Sequence, residues 1–369
     1  ATGHHASDWR FSIKLFKQLL AARRDSVTAF GIVIIAFLIV QGMILTDNIS
    51  SSLNGQLVPI CAYVVMAISL NLTVGILGEL SLGHAGFMSV GAFAGIVVTT
   101  SLADAIPFGP MRLAIAMVVG ALCAAVAGVI VGIPVLRLKG DYLAIVTLAF
   151  GEIIKNIINV LYIGLDEKGL HFSLLNQAFE LSENGKMIIN GPMGVSGVTK
   201  LSSFTAGFVL ILITLFLVLN LIHSRTGRAV MAVRDNRIAA ESIGIPVTRY
   251  RLLAFVISAA LAGAAGTLYA MNFSTVTATK FDFNTSILIL VFVVLGGLGN
   301  IWGSIIAAAL LTVLPELLRS MNDYRMLIYA ILLIAMMIFN NSGLKKRLLE
   351  KRAAARSEKA EAKHGKEAA

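Results

Sequence analysis

Hydrophobic residues fall into about ten long runs that alternate with short polar segments. The runs cover 28–46, 56–76, 83–102, 112–136, 141–161, 203–222, 252–272, 285–298, 303–318 and 325–341. A bilayer core of about 30 Å requires roughly 20 apolar residues in a helix. The pattern therefore predicts an all-α integral membrane protein with about 8–10 transmembrane helices. The eighth and ninth runs are short, so 285–318 is expected to be broken or re-entrant.

Composition and charge support this class. Hydrophobic residues make up 57% of the chain and charged residues 14%, whereas soluble proteins carry about 25% charged residues. The net charge of +10 does not indicate nucleic-acid binding, because the positive residues cluster at the ends of apolar runs. Loops rich in Lys and Arg lie on the cytoplasmic side of a membrane. Both termini are therefore predicted to be cytoplasmic.

Three regions are predicted: a cytoplasmic N-terminal segment at 1–27, a transmembrane domain at 28–342 and a basic cytoplasmic tail at 343–369. The transmembrane domain contains an acidic outside loop at 162–202 and a basic cytoplasmic loop at 223–250. Residues 1–6 look like a processing remnant, so their two histidines are not interpreted as metal ligands.

One basic polar segment, residues 223–246, lies between two long apolar runs. Small or apolar residues recur along one helical face, at Ala229, Val233, Ala240 and Ile243. This spacing predicts a short amphipathic helix, or two, across the cytoplasmic mouth. Periodicity alone leaves open a helix that lies on lipid headgroups. The small size of the residues favours close packing against a protein surface.

The end of the 223–246 segment carries helix-stop signals and a charge pair. Arg237 and Glu241 are four residues apart and can pair on a helix. Gly244 can supply a left-handed C-terminal cap, and Pro246 prevents the helix from continuing. The segment is therefore interpreted as a compact handle for another protein.

Glycines crowd residues 75–95, at membrane depth. A break in a helix is tolerated there only where it is buried or lines a cavity. Glu79, Ser81 and His84 lie close to the expected break, and polar or ionisable groups at that depth indicate a solute pathway. The structural alternative is that Ser81 and His84 cap a half-helix and bond its backbone. The two interpretations are compatible.

A second glycine-rich stretch, 294–304, loosely resembles the first, and each lies beside a short helical run. Paired discontinuities in two halves of a chain point to a central site in transporters. The residues predicted on the translocation pathway are Gly78, Ser81, His84, Gly297, Gly299 and Asn300.

The sequence contains no phosphate-binding loop of the Gly-x-x-x-x-Gly-Lys-Ser/Thr type and no His-Glu-x-x-His pair. We therefore expect no ATPase site, no metal and no cofactor bound by this chain. Gly194-Val-Ser-Gly197 matches the Gly-x-Ser-Gly of rhomboid-type intramembrane proteases. It lies in a polar outside loop, however, and no later membrane span contains a His to act as base. The chain is expected not to be an enzyme.

Several motifs taken together are specific, although each is weak alone. They are Ser69-Leu-Asn-Leu, Leu82-Gly-His-Ala-Gly-Phe, Arg137-Leu-Lys-Gly-Asp-Tyr, Phe150-Gly-Glu-Ile-Ile, Arg225-Thr-Gly-Arg, Arg234-Asp-Asn and Val294-Leu-Gly-Gly-Leu-Gly-Asn-Ile-Trp-Gly. Over roughly 55–345 the chain resembles the permease subunits of branched-chain amino acid ABC importers.

The resemblance implies a multi-pass transport subunit in the cytoplasmic membrane of a bacterium or archaeon. Its implied partners are a second related permease subunit, two ATP-binding cassette subunits that carry ATP and Mg, an extracytoplasmic solute-binding protein and membrane lipid, with no nucleic acid. Two alternatives stay open. Permeases for urea or short amides share these motifs, and a stand-alone ion-coupled carrier would leave the 223–246 segment unexplained.

The resemblance also gives the 223–246 segment a role. In such importers a short cytoplasmic helix seats in a groove on the ATPase subunit, and Ala239-Ala-Glu-Ser-Ile-Gly244 looks like that coupling loop in an altered form. The implied contact residues are Arg234, Asp235, Ala240, Glu241 and Gly244.

Overall fold

A computed structural model describes residues 31–338 except 32, 45, 47–49, 137, 139–140, 167–168, 176–184, 319–323, 325–326, 329, 332 and 335–336. The predicted terminal segments 1–27 and 343–369 lie outside the described residues. The chain divides into two compact units, Ala1–Ala309 and Leu310–Ala369. The contacts described below all belong to the first unit.

The helices follow the predicted apolar runs and the polar segment. They are α1 (Val33–Ile44), α2 (Ser51–Asn71), α3 (His84–Ser101), α4 (Gly109–Val135), α5 (Asp141–Asn159), α6 (Phe204–His223), α7 (Arg225–Asp235), α8 (Arg237–Ser242), α9 (Val247–Ala270), α10 (Phe283–Gly296) and α11 (Ile301–Leu317). Short 3₁₀ turns occur at Gly191–Met193 and Ala278–Phe281.

Among the described residues, 6 helices are long and apolar enough to cross a membrane: Ser52–Ile76, His84–Ser101, Gly109–Val135, Tyr142–Asn159, Phe204–His223 and Val247–Ala270. Helices α1, α10 and α11 are apolar but shorter. The predicted helical, multi-pass class is confirmed at this level. The larger span count and the cytoplasmic location of both termini stay predictions.

Helix α9 is the centre of the bundle and packs against α2, α3 and α4. Its small residues permit this close approach. A Cβ built on Gly263 would lie 2.4 Å from the Cβ of Ala124 and 2.6 Å from the carbonyl oxygen of Gly120. Small residues at helix contacts allow the two backbones to approach closely. In a membrane the hydrophobic effect does not drive helices together, so this close van der Waals packing is what stabilises the bundle.

Short strands occupy the outside loop, where the polar pattern predicted no regular structure. Strands β1 (Leu161–Asp166), β2 (Gly169–Leu174) and β3 (Lys186–Asn190) form an antiparallel sheet in the order β2-β1-β3. Strand β4 (Val195–Ser196) pairs with β5 (Thr275–Val276), which follows α9. The all-α prediction therefore holds for the membrane segments and is corrected for this loop.

Candidate coupling and translocation site

The 223–246 segment forms two short helices, α7 and α8, as the sequence predicted. Each helix has a side-chain N-cap. The Ser224 hydroxyl accepts a hydrogen bond of 3.1 Å from the Gly227 backbone N–H. The Asn236 side-chain oxygen accepts one of 3.0 Å from the Ala239 N–H. These caps satisfy backbone donors that have no partner within the helix. Asn236 has extended backbone, so it separates the two helices.

Helix α8 ends in the predicted glycine cap. Gly244 has φ +83°, a conformation that costs glycine little because it has no Cβ. Its N–H donates to the carbonyl of Glu241 at 3.0 Å, and the Ile245 N–H donates to the carbonyl of Ala240 at 3.1 Å. This pair of bonds is the Schellman motif. The predicted ion pair also forms, with the Arg237 Nε 3.1 Å from the Glu241 Oε1.

Val233 and Ala240, on the predicted face, are buried, whereas Ala229 is partly buried and Ile243 is 75% exposed. Packing of Ile243 against another protein surface stays a prediction, because its side chain is exposed in the single chain. Ile238 is also exposed, at 77%. Two large aliphatic side chains therefore project from a mainly polar segment, where they are available for contact with another surface.

Arg234 joins α7 to the end of the second helix. Its Nη1 donates to the carbonyl oxygen of Gly75 at 3.1 Å. The same guanidinium bonds the neighbouring Asp235 through Nε and Nη2, at 3.1 Å and 3.0 Å. The aliphatic stem of Arg234 lies over Gly78, where a built Cβ would be 2.6 Å from Arg234 Cγ. A residue of the predicted coupling loop therefore contacts the predicted helix break directly.

The break itself begins in a π-helical turn. Helix α2 continues into a π-helix at Leu72–Ile76, after which the chain is non-helical until α3 begins at His84. Gly78 has φ +80°. The expected interruption is confirmed. Single π-helical turns inside helices are often found at functional sites.

The Asn71 side chain links the two glycine-rich breaks by hydrogen bonds. Its side-chain oxygen accepts a hydrogen bond of 2.9 Å from the Gly299 N–H. Its amide nitrogen donates to the Ser304 hydroxyl, also at 2.9 Å. A Cβ built on Gly75 would lie 2.2 Å from the Gly299 nitrogen, so the two backbones are in contact. Asn71 was not among the predicted site residues, although a polar amide in the middle of an apolar run was a usable signal.

The second break lies between α10 and α11. Gly297 and Gly299 have φ +97° and +79°, which explains the need for glycine at both positions. Asn300 is exposed, and its side-chain nitrogen lies 3.5 Å from the carbonyl of Gly296. The structure therefore brings Gly78, Gly297, Gly299 and Asn300 to the same pair of interrupted helices.

Ser81 and His84 do not cap α3. The N-cap position of α3 is Gly83, which has no side chain to cap the helix. The Ser286 hydroxyl, from α10, accepts from the Ala85 N–H at 3.1 Å. The predicted capping role is therefore wrong, because a side chain from another helix supplies the acceptor for this first turn. His84 is buried and its Nε2 lies 2.8 Å from the Ser69 hydroxyl. The Ser81 hydroxyl is buried and has no hydrogen-bond partner among the described residues.

A buried ion pair lies next to the first break. Arg251, on α9, pairs through Nε with Glu79 and donates through Nη1 to the carbonyl of Leu136 at 2.8 Å. Burial raises the pKa of Glu79, and the Arg251 charge only partly opposes that shift. Three separate chain segments are joined at this point. The sequence singled out Glu79 but could not supply its partner, which is 172 residues away.

Paired interrupted helices among helices long and apolar enough to cross a membrane, next to a polar helix pair, are typical of a multi-pass membrane protein of the transporter class. The chain belongs to the family described as "Branched-chain amino acid transport system / permease component", which matches residues 52–339. It is accordingly a permease subunit of an ABC importer.

Individual relatives support this assignment. The chain is 36% identical over 292 residues to the high-affinity branched-chain amino acid transport system permease protein LivM of Salmonella typhimurium, covering 76% of this chain and 67% of the relative. It is 35% identical over 316 residues to LivM of Escherichia coli, with the same coverage. It is 25% identical over 306 residues to BraD of Pseudomonas aeruginosa, covering 76% of this chain and 91% of the relative. No solved structure matches the chain.

Proposed function

We propose that the chain imports branched-chain or closely related amino acids across the cytoplasmic membrane of a bacterium or archaeon. It would act with a second related permease subunit, two ATP-binding cassette subunits that bind ATP and Mg, and an extracytoplasmic solute-binding protein. The LivM relatives carry this solute class in their names. No cofactor of its own is needed, because the energy comes from ATP hydrolysis on the partner subunits.

The observation that carries the proposal is the hydrogen bond from Arg234 to the Gly75 carbonyl. A permease subunit without an ATPase site of its own must receive the motion of the partner ATPase subunits and transmit it to the helices around the solute. Arg234 belongs to the exposed cytoplasmic segment and Gly75 to the interrupted helix, so this bond supports a direct mechanical route. In this proposal the ATPase subunit binds the 223–246 segment. The residues that contact the subunit or hold the segment in shape are Arg234, Asp235, Ala240, Glu241 and Gly244.

The solute pathway is proposed to pass the paired breaks, lined by Gly78, Ser81, His84, Gly297, Gly299 and Asn300. The N-terminal ends of α3 and α11 meet this region, and helix N-termini attract carboxylates. The unpartnered Ser81 hydroxyl supports a polar contact there. Ser81→Ala and Asn300→Ala should lower uptake or change solute selectivity, with Ser89→Ala as a control, because Ser89 already bonds the carbonyl of Gly86. Unchanged uptake and selectivity in both variants would remove these residues from the pathway.

One experiment tests the solute class. The chain is purified together with the products of its neighbouring genes and placed in lipid nanodiscs. ATP hydrolysis is then measured with the binding protein and a panel that contains leucine, isoleucine, valine, urea and acetamide. We expect the aliphatic amino acids to stimulate hydrolysis most. Stimulation by urea or acetamide alone would replace the proposal with the amide permease. Solute uptake without ATP by the purified chain in sealed lipid vesicles would replace it with a carrier.

A further inference from the structure

A cleft of about 500 Å³ lies between the 223–246 segment and the cytoplasmic ends of the membrane helices. Its walls come from the loop after the π-helical turn, the region between α4 and α5, and from α7, α8 and α9. Aliphatic side chains form much of the lining: Leu77, Leu80, Leu138, Leu143, Val233 and Ile238. This volume and this mainly apolar wall with a few polar groups are typical of small-molecule sites.

The charges around the cleft are balanced. Each of its three arginines is paired with a carboxylate, in the pairs Arg234–Asp235, Arg237–Glu241 and Arg251–Glu79. A ligand with a net negative charge therefore meets no net positive charge. A zwitterion with a short apolar side chain fits both the balanced charges and the aliphatic wall, because it presents one group of each sign.

Two of these charged groups have unused hydrogen-bonding capacity. Arg237 bonds Glu241 through Nε, and no hydrogen bond in the described part of the chain engages its two terminal nitrogens. The Glu79 Oε2 is buried without a partner among the same residues. Both groups line the same cleft. The Glu79 Oε2 is buried in this conformation. The carboxylate group must therefore rotate before a ligand in the cleft can contact that oxygen.

We propose that this cleft is a cytoplasmic binding site for a free aliphatic amino acid. The terminal nitrogens of Arg237 hold its carboxylate, Glu79 accepts from its ammonium group, and the leucine-rich wall receives its side chain. The bound amino acid joins α8 to the loop after α2, so it holds the coupling segment still and slows further import. The choice of ligand rests on the proposed function; the presence of a zwitterion site does not.

Direct binding to the full chain tests the site without partner subunits. Leu80 lines the cleft and is 40% exposed, so Leu80→Trp supplies a fluorescent reporter there. The variant in phosphatidylcholine nanodiscs is titrated with L-leucine, 4-methylpentanoate and 3-methylbutylamine. We expect a saturable signal with L-leucine and binding at least about tenfold weaker for the two analogues, each of which lacks one charged group. No saturable signal with L-leucine, or equal binding of 4-methylpentanoate, would overturn the proposal.

Two substitutions locate the ligand in the cleft. Glu79→Gln and Arg237→Gln should each weaken L-leucine binding by about tenfold. Arg237 lies on a surface helix, so its variant is expected to fold even if Glu79→Gln does not. Arg249→Gln is the matched control, because Arg249 is exposed and does not line the cleft. Unchanged affinity in the folded Arg237→Gln variant contradicts the proposed site.

The effect on transport is measured with the complete importer in vesicles preloaded on the cytoplasmic side. Internal L-leucine should lower the initial rate of uptake, and Arg237→Gln should reduce that inhibition relative to its own uninhibited rate. An importer that takes up L-leucine but ignores internal L-leucine refutes the inference and leaves the proposed function intact. An importer that takes up no aliphatic amino acid refutes the proposed function, while the fluorescence titration still reports on the cleft.

Discussion

Arg234 donates a hydrogen bond of 3.1 Å to the carbonyl oxygen of Gly75, a residue 159 positions earlier in the chain. The bond connects the polar helix α7 to the π-helical turn that follows α2. Arg234 is itself oriented by Asp235, which accepts from two of its nitrogens. A movement of α7 therefore acts on the helix break through one side chain.

Replacing Arg234 tests this connection. Arg234→Met keeps much of the aliphatic stem over Gly78 and removes the charged donor. Because a hydrogen bond from a charged group contributes about 1.5–3 kcal/mol, solute transported per ATP hydrolysed should fall about tenfold. Arg228→Met is the control, since Arg228 lies on the same helix and bonds only the nearby His223 carbonyl. Equal ratios of transport to hydrolysis for Arg234→Met and wild type would show that this bond transmits nothing.

Asn71 should stabilise the paired breaks. In Asn71→Leu the Gly299 N–H loses its acceptor and the Ser304 hydroxyl loses a donor, within a site where Asn71 itself is fully buried. The Ser304 hydroxyl keeps its bond to the Asn300 carbonyl, but leaving the Gly299 N–H without a partner costs about 1–3 kcal/mol. Thermal unfolding in nanodiscs should show a clear loss of stability. Asn272→Leu is the control, because it breaks one hydrogen bond to the Gly55 carbonyl at a less buried position. If Asn272→Leu lowers the unfolding temperature as much as Asn71→Leu does, the special role of Asn71 at the paired breaks is contradicted.

Gly75→Ala tests the contact between the two backbones. The new Cβ would lie 1.9 Å from the Asn71 side-chain oxygen and 2.2 Å from the Gly299 nitrogen. The clash can be relieved only if the backbone of one break moves away from the other. We therefore expect the folded state to be destabilised by about 1–3 kcal/mol and transport to be lost. Gly55→Ala is on the same helix with nothing within 4 Å of the new Cβ, and it should be neutral or slightly stabilising. Similar unfolding temperatures for the two variants would refute the close contact.

Ile243 should contribute to docking of the ATPase subunit. Burying such a side chain at an interface is worth about 1.5–3 kcal/mol, so Ile243→Asp should weaken capture of the ATPase subunit at least about tenfold. Met193→Asp is the matched control, because Met193 is 72% exposed in the outside loop. Capture by Ile243→Asp at the wild-type level would mean that this exposed isoleucine faces no partner.

The sequence predicted local features well and distant pairings poorly. The Arg237–Glu241 pair and the end of α8 depend on residues within a few positions of each other, and Gly244 took the left-handed conformation expected of it. Asn71 and Arg251 find their partners more than a hundred residues away. No spacing in a single sequence carries that information.

Two errors have local physical causes. Ser81 and His84 were assigned as caps because they are near a helix start, but Ser286 from another helix supplies the acceptor. The strands of the outside loop were missed although apolar residues alternate along Gly169–Leu174, because that alternation is only six residues long.

The coupling role of the 223–246 segment is tested most directly by the ratio of solute transported to ATP hydrolysed. Gly244→Val places a β-branched residue at φ +83° and deforms the end of α8. Glu241→Arg breaks the pair with Arg237 and reverses the charge of the exposed surface. In the reconstituted importer, both variants should hydrolyse ATP while transporting little, and their unfolding temperatures should stay near that of the wild type. If both variants transport as much solute per ATP hydrolysed as the wild type, the coupling role of the 223–246 segment is contradicted, and the segment only anchors the chain at the membrane surface.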